Sequence, residues 1–264
     1  MTDQKLEALR NRIKEYESAV VAFSGGVDST FLLMVAVQEL GKRVLAVTLD
    51  TDLIPRREVQ EAQRIAKDLG ADHMIITAEP LKIPEVRGNS SERCYYCKHH
   101  LFGTLYELAC NKGYHAVLDG ANQDDQGDYR PGMRAAQEIG VYSPLLEEGI
   151  TKEEIRQYSY DAGLSTWNKS EAACLASRIP YGEEITVEKL KMIEDAEGFL
   201  NSLIDEQVRV RWHRDVARIE TAVDAFGTIL EHRQEIIENL KKIGFSYVTL
   251  DLMGYRKGSL NEVL

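Results

Sequence analysis

The chain has 264 residues, 44% hydrophobic and 28% charged, with a formal net charge of −11. That length accommodates one large or two modest domains with a sizeable core, and the composition is that of a globular protein rather than a disordered or fibrous one. The acidic balance repels polyanions and disfavours nucleic acid as a partner. No run of about 18 apolar residues and no basic-flanked apolar leader is present, so no membrane span is expected and a cytoplasmic address is.

Residues 2–18 carry Leu6, Leu9, Ile13 and Tyr16 on one side of a helical wheel and predict an amphipathic helix. Short apolar runs at 19–23, 43–49, 73–77 and 116–118 predict strands, and the segments 29–40, 56–69 and 94–112 between them predict helices. This alternation predicts an α/β fold with a parallel sheet and crossover helices, whose ligand sits beyond the carboxyl ends of the strands. The first strand exit is Ser24-Gly25-Gly26-Val27-Asp28-Ser29-Thr30. Its glycines let backbone N–H groups crowd around an anion, the following helix offers free amides and its positive dipole end, and Ser24, Ser29 and Thr30 add hydroxyl donors. We read a phosphate cradle here in preference to a plain Ser/Gly turn. The Gly-Lys-Ser/Thr ending of a Walker loop is missing, so γ-phosphate transfer is the less natural reading. At the second exit Asp50 would face a nucleotide, and at the third Asp119-Gly120-Ala121-Asn122 would close the site.

Cys94-Tyr95-Tyr96-Cys97 opens the helix predicted at 94–112, and a spacing of three puts both sulfurs on one face, at an end whose dipole favours thiolate. Cys110 faces elsewhere on that helix and is assigned to packing. Thr151 and Glu154 form a capping box for a helix reaching about Ala162. The pattern then changes, and we divide the chain into a nucleotide domain, 1–168, and a smaller α+β domain, 169–264. The second reads as helix 186–203, strand 207–213, strand 215–220, helix 221–243 and strand 245–252. Cys174 lies in the polar, turn-rich stretch 170–182, a loop address suited to chemistry.

Cys94, Cys97 and Cys174 could together hold an iron–sulfur cluster with one position left open. A zinc site would want a fourth ligand such as His99 or His100, and a redox pair or simple packing are the remaining readings. Arg209 and Arg211 project to one face of a predicted strand and can grip a phosphate or carboxylate. The alternative is an exposed strand face with charge pairs such as Arg218 with Glu220. His213 reads as a turn or hydrogen-bonding residue.

The loop at 24–30 resembles the pyrophosphate loop of the ATP pyrophosphatase (PP-loop) superfamily, whose members cleave ATP between the α and β phosphates. Further motifs are Leu118-Asp119-Gly120, Asp128-Tyr129-Arg130-Pro131-Gly132, Trp167-Asn168-Lys169, Cys174 with Ser177-Arg178-Ile179-Pro180-Tyr181-Gly182, the strand pair from Arg209 to Glu220, and Tyr247-Val248-Thr249-Leu250-Asp251-Leu252. With these, most of the chain resembles the LarE family, ATP-dependent sulfur transferases of nickel-pincer nucleotide biosynthesis.

The resemblance implies that ATP adenylates a carboxylate of a pyridinium dicarboxylate mononucleotide and that sulfur then displaces AMP, giving thiocarboxylates for the cofactor of lactate racemase. It implies ATP contacts from Ser24, Gly25, Gly26, Asp28, Ser29, Thr30, Asp50 and Gly120, and substrate-anion contacts from Ser177, Arg178, Arg209 and Arg211. Mg²⁺ would neutralise the pyrophosphate, with Asp28 and, more weakly, Asp125 as ligands. Cys174 matches the sulfur-bearing position, which in the single-cysteine form surrenders its own sulfur. The additional Cys94 and Cys97 resemble the form that carries a [4Fe–4S] cluster, where a cluster-bound sulfide is the sulfur source. A homo-oligomer and contact with other cofactor-building proteins are likewise implied. Three other functions are kept: a tRNA thiolase of the same superfamily, which would need a basic RNA-sized surface; a non-catalytic nucleotide or redox sensor; and an amidating ligase, which would need no cysteines near the ATP site.

Overall fold

The computed structural model describes residues 2–127, 131–170 and 173–256. In chain order it contains α1 (Thr2–Glu15), β1 (Ala19–Ala22), α2 (Val27–Leu40), β2 (Val44–Asp50), α3 (Arg56–Asp68), β3 (Asp72–Thr77), α4 (Pro84–Arg87), α5 (Arg93–Lys112), β4 (Ala116–Leu118), α6 (Pro131–Ile139), α7 (Pro144–Glu147) and α8 (Lys152–Asp161). There follow α9 (Val187–Leu200), β5 (Arg209–His213), β6 (Val216–Glu220), α10 (Phe226–Glu231), α11 (Arg233–Ile243) and β7 (Tyr247–Leu250). The chain divides into two compact units, one of Met1–Ile83 with Glu92–Ala172 and a second of Pro84–Ser91 with Ala173–Leu264. The short stretch bearing α4 thus leaves the first unit and returns to it.

The first unit is an α/β fold on a four-stranded sheet of order β3-β2-β1-β4, parallel at every pairing. Strands covered on both faces need continuous apolar runs, which β1 (AVVA) and most of β2 (VLAVTLD) supply. On one face Val21, Phe23, Val44 and Ala46 pack with Leu9, Phe31, Leu32, Ala62 and Ile155; on the other Val20, Leu45, Val47 and Val117 pack with Phe102, Leu105 and Ala136. Chain order reverses between β1 and β4, so the crevice beyond their carboxyl ends is the topological switch point where such sheets bind ligands. Helix α3 shows why local sequence was readable: Glu58, Val59, Ala62, Ile65 and Ala66 are buried at helical spacing.

The smaller unit has a mixed sheet of order β5-β6-β7, with β5 and β6 antiparallel and β6 and β7 parallel. The helix predicted over 221–243 is four pieces: a non-helical start, the 3₁₀ turn Val223–Ala225, and α10 and α11, which are separated at His232. Thr221 stays non-helical because it is fully buried and its carbonyl accepts the Tyr255 amide at 2.8 Å. Cys110, expected in the core, is exposed. Its neighbour Ala109 takes the buried position with Phe102 and Leu105, so helical phase overrides the usual burial of a free thiol. Helices α6 and α7 had no counterpart in the sequence reading. Asp128, Tyr129, Arg130, Glu171 and Ala172 lie outside the described residues.

Candidate functional site

In the first unit the loop between β1 and α2 is shaped by two close approaches. Gly25 has φ of +69°, and a Cβ there would stand 3.0 Å from the Cα of Ala62 on α3, so conformation and space both demand glycine. Gly120, after β4, approaches the first turn of α2 so that a Cβ would lie 3.0 Å from the Ser29 amide nitrogen. Within the loop Ser24 Oγ lies 3.0 Å from Ser29 Oγ and accepts the Gly26 amide at 3.3 Å. Thr30 Oγ1 is buried with no hydrogen-bond partner among the described residues, an orphan donor in the first turn of α2. Glycine-bared amides, clustered hydroxyls and a helix N-terminus make a fit for polyphosphate oxygens.

Two lysines from distant sequence complete the loop. Lys169 Nζ donates to the Gly25 carbonyl at 3.2 Å and pairs with Glu61 at 2.7 Å and Glu58 at 2.9 Å. Because the peptide is planar and trans, fixing the Gly25 carbonyl turns the Gly26 N–H to the opposite side. Lys152, first residue of α8, places Nζ 2.5 Å from Asp28 Oδ2. Asp28 therefore stands at the helix start as a carboxylate already matched to a cation, and a carboxylate beside phosphate oxygens suits Mg²⁺. Asp125, the weaker candidate, has Oδ2 accepting the Asn122 amide at 3.0 Å, which ties it to its own turn. Asp50 pairs with Arg56 at the start of α3.

The walls are set by buried polar groups. Asp119 is 7% exposed, and burial pushes its carboxyl above the usual range, partly offset by the charge of Lys98 and by a 2.7 Å hydrogen bond from Ser143 Oγ. Thr48 Oγ1 donates to the Phe23 carbonyl at 2.8 Å and lies 2.8 Å from His73 Nε2, which is therefore the donor of that pair. Burial lowers the His73 pKa below 6.5, so the ring is neutral at pH 7.

On the same unit, Cys94 is exposed and Cys97 half-buried at the first turns of α5. That turn is clamped to α6: Arg134 stacks 4.0 Å from the Tyr95 ring centroid and pairs with Glu92 at 3.1 Å, while Tyr95 OH donates to Glu138 at 2.6 Å.

The second unit holds Cys174, exposed, just before a 3₁₀ turn, Leu175–Arg178. The sequence reading gave Arg178 to a substrate anion. Its guanidinium is 2% exposed and donates to Glu197 at 2.9 and 3.1 Å, to Ser177 Oγ at 2.9 Å, and to the carbonyls of Ala173 and Cys174 at 2.8 and 3.0 Å. It braces the cysteine turn. Arg211 pairs with Glu220 at 2.7 Å and donates to the Ser177 carbonyl at 3.0 Å. Arg209 is 5% exposed, 5.9 Å from the Tyr255 ring, and its pKa falls to about 10 through burial and the charge of Arg178. Arg218, half-buried on β6, also pairs with Glu220, as the alternative reading foresaw, yet β5, which carries Arg209 and Arg211, is buried, not exposed. His213 is half-buried with a depressed pKa from burial and from Arg218.

A family profile described as queuosine biosynthesis protein QueC matches residues 18–90. Uncharacterized protein slr1717 of Synechocystis sp. is 43% identical over 100% of this chain and 99% of its own. The pyridinium-3,5-bisthiocarboxylic acid mononucleotide synthase of Lactiplantibacillus plantarum is 38% identical over 96% of this chain and 92% of its own. The chain belongs to the LarE family. As a LarE-family chain it is an enzyme on the PP-loop α/β fold, a fold that works with ATP and Mg²⁺. Uncharacterized protein MJ0830 of Methanocaldococcus jannaschii, 32% identical over 96% of this chain, is a further relative.

For this LarE-family chain the loop residues and Asp28 fit ATP and Mg²⁺ on the geometry above. Cys94 and Cys97 belong to the first unit and Cys174 to the second. Among the described residues no three His, Cys, Asp or Glu side chains gather into a metal-sized group. The sequence reading passed over Lys152, Glu58, Glu61, His73 and Glu197. For Lys169 it had the Trp167-Asn168-Lys169 motif but no contact to assign to it.

Proposed function

We propose that the protein is an ATP-dependent sulfur transferase acting on pyridinium-3,5-biscarboxylic acid mononucleotide and giving thiocarboxylates for the nickel-pincer cofactor of lactate racemase. The observation that carries this reading is an exposed Cys174 whose carbonyl is held by Ser177 and the buried Arg178, in a chain related over nearly its full length to a bisthiocarboxylic acid mononucleotide synthase. A thiol that must attack an acyl group needs a fixed position, and Arg178 and Arg211, each paired with a buried glutamate, hold the carbonyls of the turn that carries it.

The loop after β1 binds the polyphosphate, and Gly120 closes its floor. A substrate carboxylate oxygen attacks the α-phosphorus; the bond to the bridging oxygen breaks and pyrophosphate leaves with the electron pair. Adenylation turns a poor leaving oxygen into AMP. In the single-cysteine route, which the additional Cys94 and Cys97 argue against, the Cys174 sulfur would then attack the acyl carbon and expel AMP, forming a thioester. Loss of the Cys174 Cα proton with cleavage of the Cβ–S bond releases the thiocarboxylate and leaves dehydroalanine. Arg209 and Arg211 would hold the substrate's phosphate, while Arg178 fixes the turn that presents the thiol. Bound on Cys94, Cys97 and Cys174, a [4Fe–4S] cluster would supply an iron-held sulfide in place of the cysteine's own sulfur. A homo-oligomer, a cytoplasmic setting, and a nucleotide role for the first unit with a sulfur-transfer role for the second belong to the same reading; the boundary expected at residue 168 falls instead after Ala172, with Pro84–Ser91 also in the second unit.

Incubation of anaerobically reconstituted protein with ATP, Mg²⁺ and the mononucleotide should yield AMP, pyrophosphate and a product with sulfur in place of oxygen. Stimulation by tRNA, with sulfur entering the RNA, would replace this reading by the thiolase. Cys174→Ser should retain AMP formation and lose sulfur transfer; full transfer by that variant removes Cys174 from the mechanism. A loss of about 34 Da from the polypeptide after turnover marks the dehydroalanine route, and an unchanged mass marks the cluster-held sulfide.

A further inference from the structure

The pyrophosphate loop contains no lysine: residues 24–30 offer amides, hydroxyls and the negative Asp28. A leaving pyrophosphate develops charge that this set alone leaves poorly balanced. The fold brings in an ammonium from 124 residues away in sequence, Lys152 Nζ, at 2.5 Å from Asp28 Oδ2, with side-chain exposures of only 22% and 23%.

The root of Lys152 is fixed on every side. Its amide donates to Asp124 Oδ2 at 2.7 Å, Thr151 and Glu154 close a capping box around the first turn of α8, and Lys5 ties Glu154 at 2.8 Å and the Gly149 carbonyl at 2.7 Å. The other lysine at the loop, Lys169, is committed to Glu58, Glu61 and the Gly25 carbonyl. Lys152 thus differs from Lys169 in kind: its ammonium rests on the carboxylate expected to receive the divalent cation.

We propose that Lys152 is the phosphate lysine of this site, supplied in space where the loop lacks one in sequence. In the nucleotide-free protein its ammonium stands in for the divalent cation on Asp28. When the metal–nucleotide enters, the ammonium and the metal share the polyphosphate's larger negative charge, and Lys152 turns to the oxygens of the departing pyrophosphate. It makes and breaks no covalent bond and keeps its protons: the α-phosphorus gains the carboxylate oxygen, the electron pair leaves with pyrophosphate, and Lys152 supplies charge. This role rests on the nucleotide reading of the loop.

The test uses the full chain, with Lys152→Met and Lys152→Arg. Mn²⁺ titrated into nucleotide-free protein and followed by electron paramagnetic resonance should bind Lys152→Met more tightly, by roughly 3- to 10-fold, because a competing cation has been removed from Asp28. Pyrophosphate release should fall in kcat by about 10²- to 10³-fold with KM for ATP changing less, and Lys152→Arg should recover part of the rate. A stability role alone would not move metal affinity and turnover in opposite directions. Unchanged Mn²⁺ affinity, or wild-type pyrophosphate release by Lys152→Met, overturns the proposal. If Lys152→Met fails to fold, Lys152→Arg decides: wild-type Mn²⁺ affinity and wild-type inhibition by pyrophosphate in that variant would equally overturn it, and a shift in both supports it. Failure of the wild-type chain to bind ATP by calorimetry would instead sink the nucleotide reading itself, and this role with it.

Discussion

Gly120 lies so close to α2 that any Cβ would meet the Ser29 amide nitrogen at 3.0 Å, and backbone on both sides leaves no flexible side chain to give way. Gly120→Ala should therefore weaken ATP binding by about tenfold or more, matching the roughly 1–3 kcal/mol of overpacking, as read by calorimetric titration. Lys169→Met removes the donor on the Gly25 carbonyl and the partner of Glu58, whose side chain is 10% exposed. It should cost about 1–3 kcal/mol in denaturant unfolding, with partial recovery in Lys169→Arg. His73 supplies a pH dependence. Its folded pKa is depressed below 6.5 by burial, so its contribution to stability is complete above pH 6.5 and is lost as pH falls from there toward the folded value. The melting-temperature difference between wild type and His73→Gln should shrink between pH 7.5 and 5.5; a constant difference would contradict the neutral, half-buried ring.

At the scale of elements, much was legible. The periodicity of α1, α2, α3 and α5, the continuous apolar runs of β1 and β2, and the Thr151 capping box all reflect interactions within a few residues. Thr151→Ala should cost about 1 kcal/mol and, by loosening the start of α8, lower kcat as Lys152 loses its anchor. The error over 221–243 had a non-local cause, the Thr221 carbonyl held by Tyr255. Helix α6 was missed because it packs on α5 through contacts such as Arg134 with Tyr95 and Glu92, which no local pattern announces. The buried Arg178–Glu197 pair joins the cysteine turn to α9, with Glu197 Oε1 also accepting the Val210 amide at 3.0 Å. Glu197→Ala leaves a buried guanidinium uncompensated and should destabilise the smaller unit by about 3–5 kcal/mol in thermal unfolding.

For the whole molecule, the net charge of −11 argues against a polyanion as substrate. Turnover with the mononucleotide should change only a few-fold between 50 and 200 mM salt, whereas an RNA substrate held by several phosphate contacts would lose about 10³-fold or more. Among the described residues no helix is long and apolar enough to cross a membrane. The amino-acid order alone determined the α/β class, the phosphate loop and the candidate thiols, because each is written in adjacent residues whose backbone and side-chain chemistry acts locally. Only the tertiary structure decided that Lys152 rests on Asp28, that Gly120 touches Ser29, and that Arg178 serves the cysteine turn. Charge pairing and close contact depend on distance in space, which chain separation does not encode.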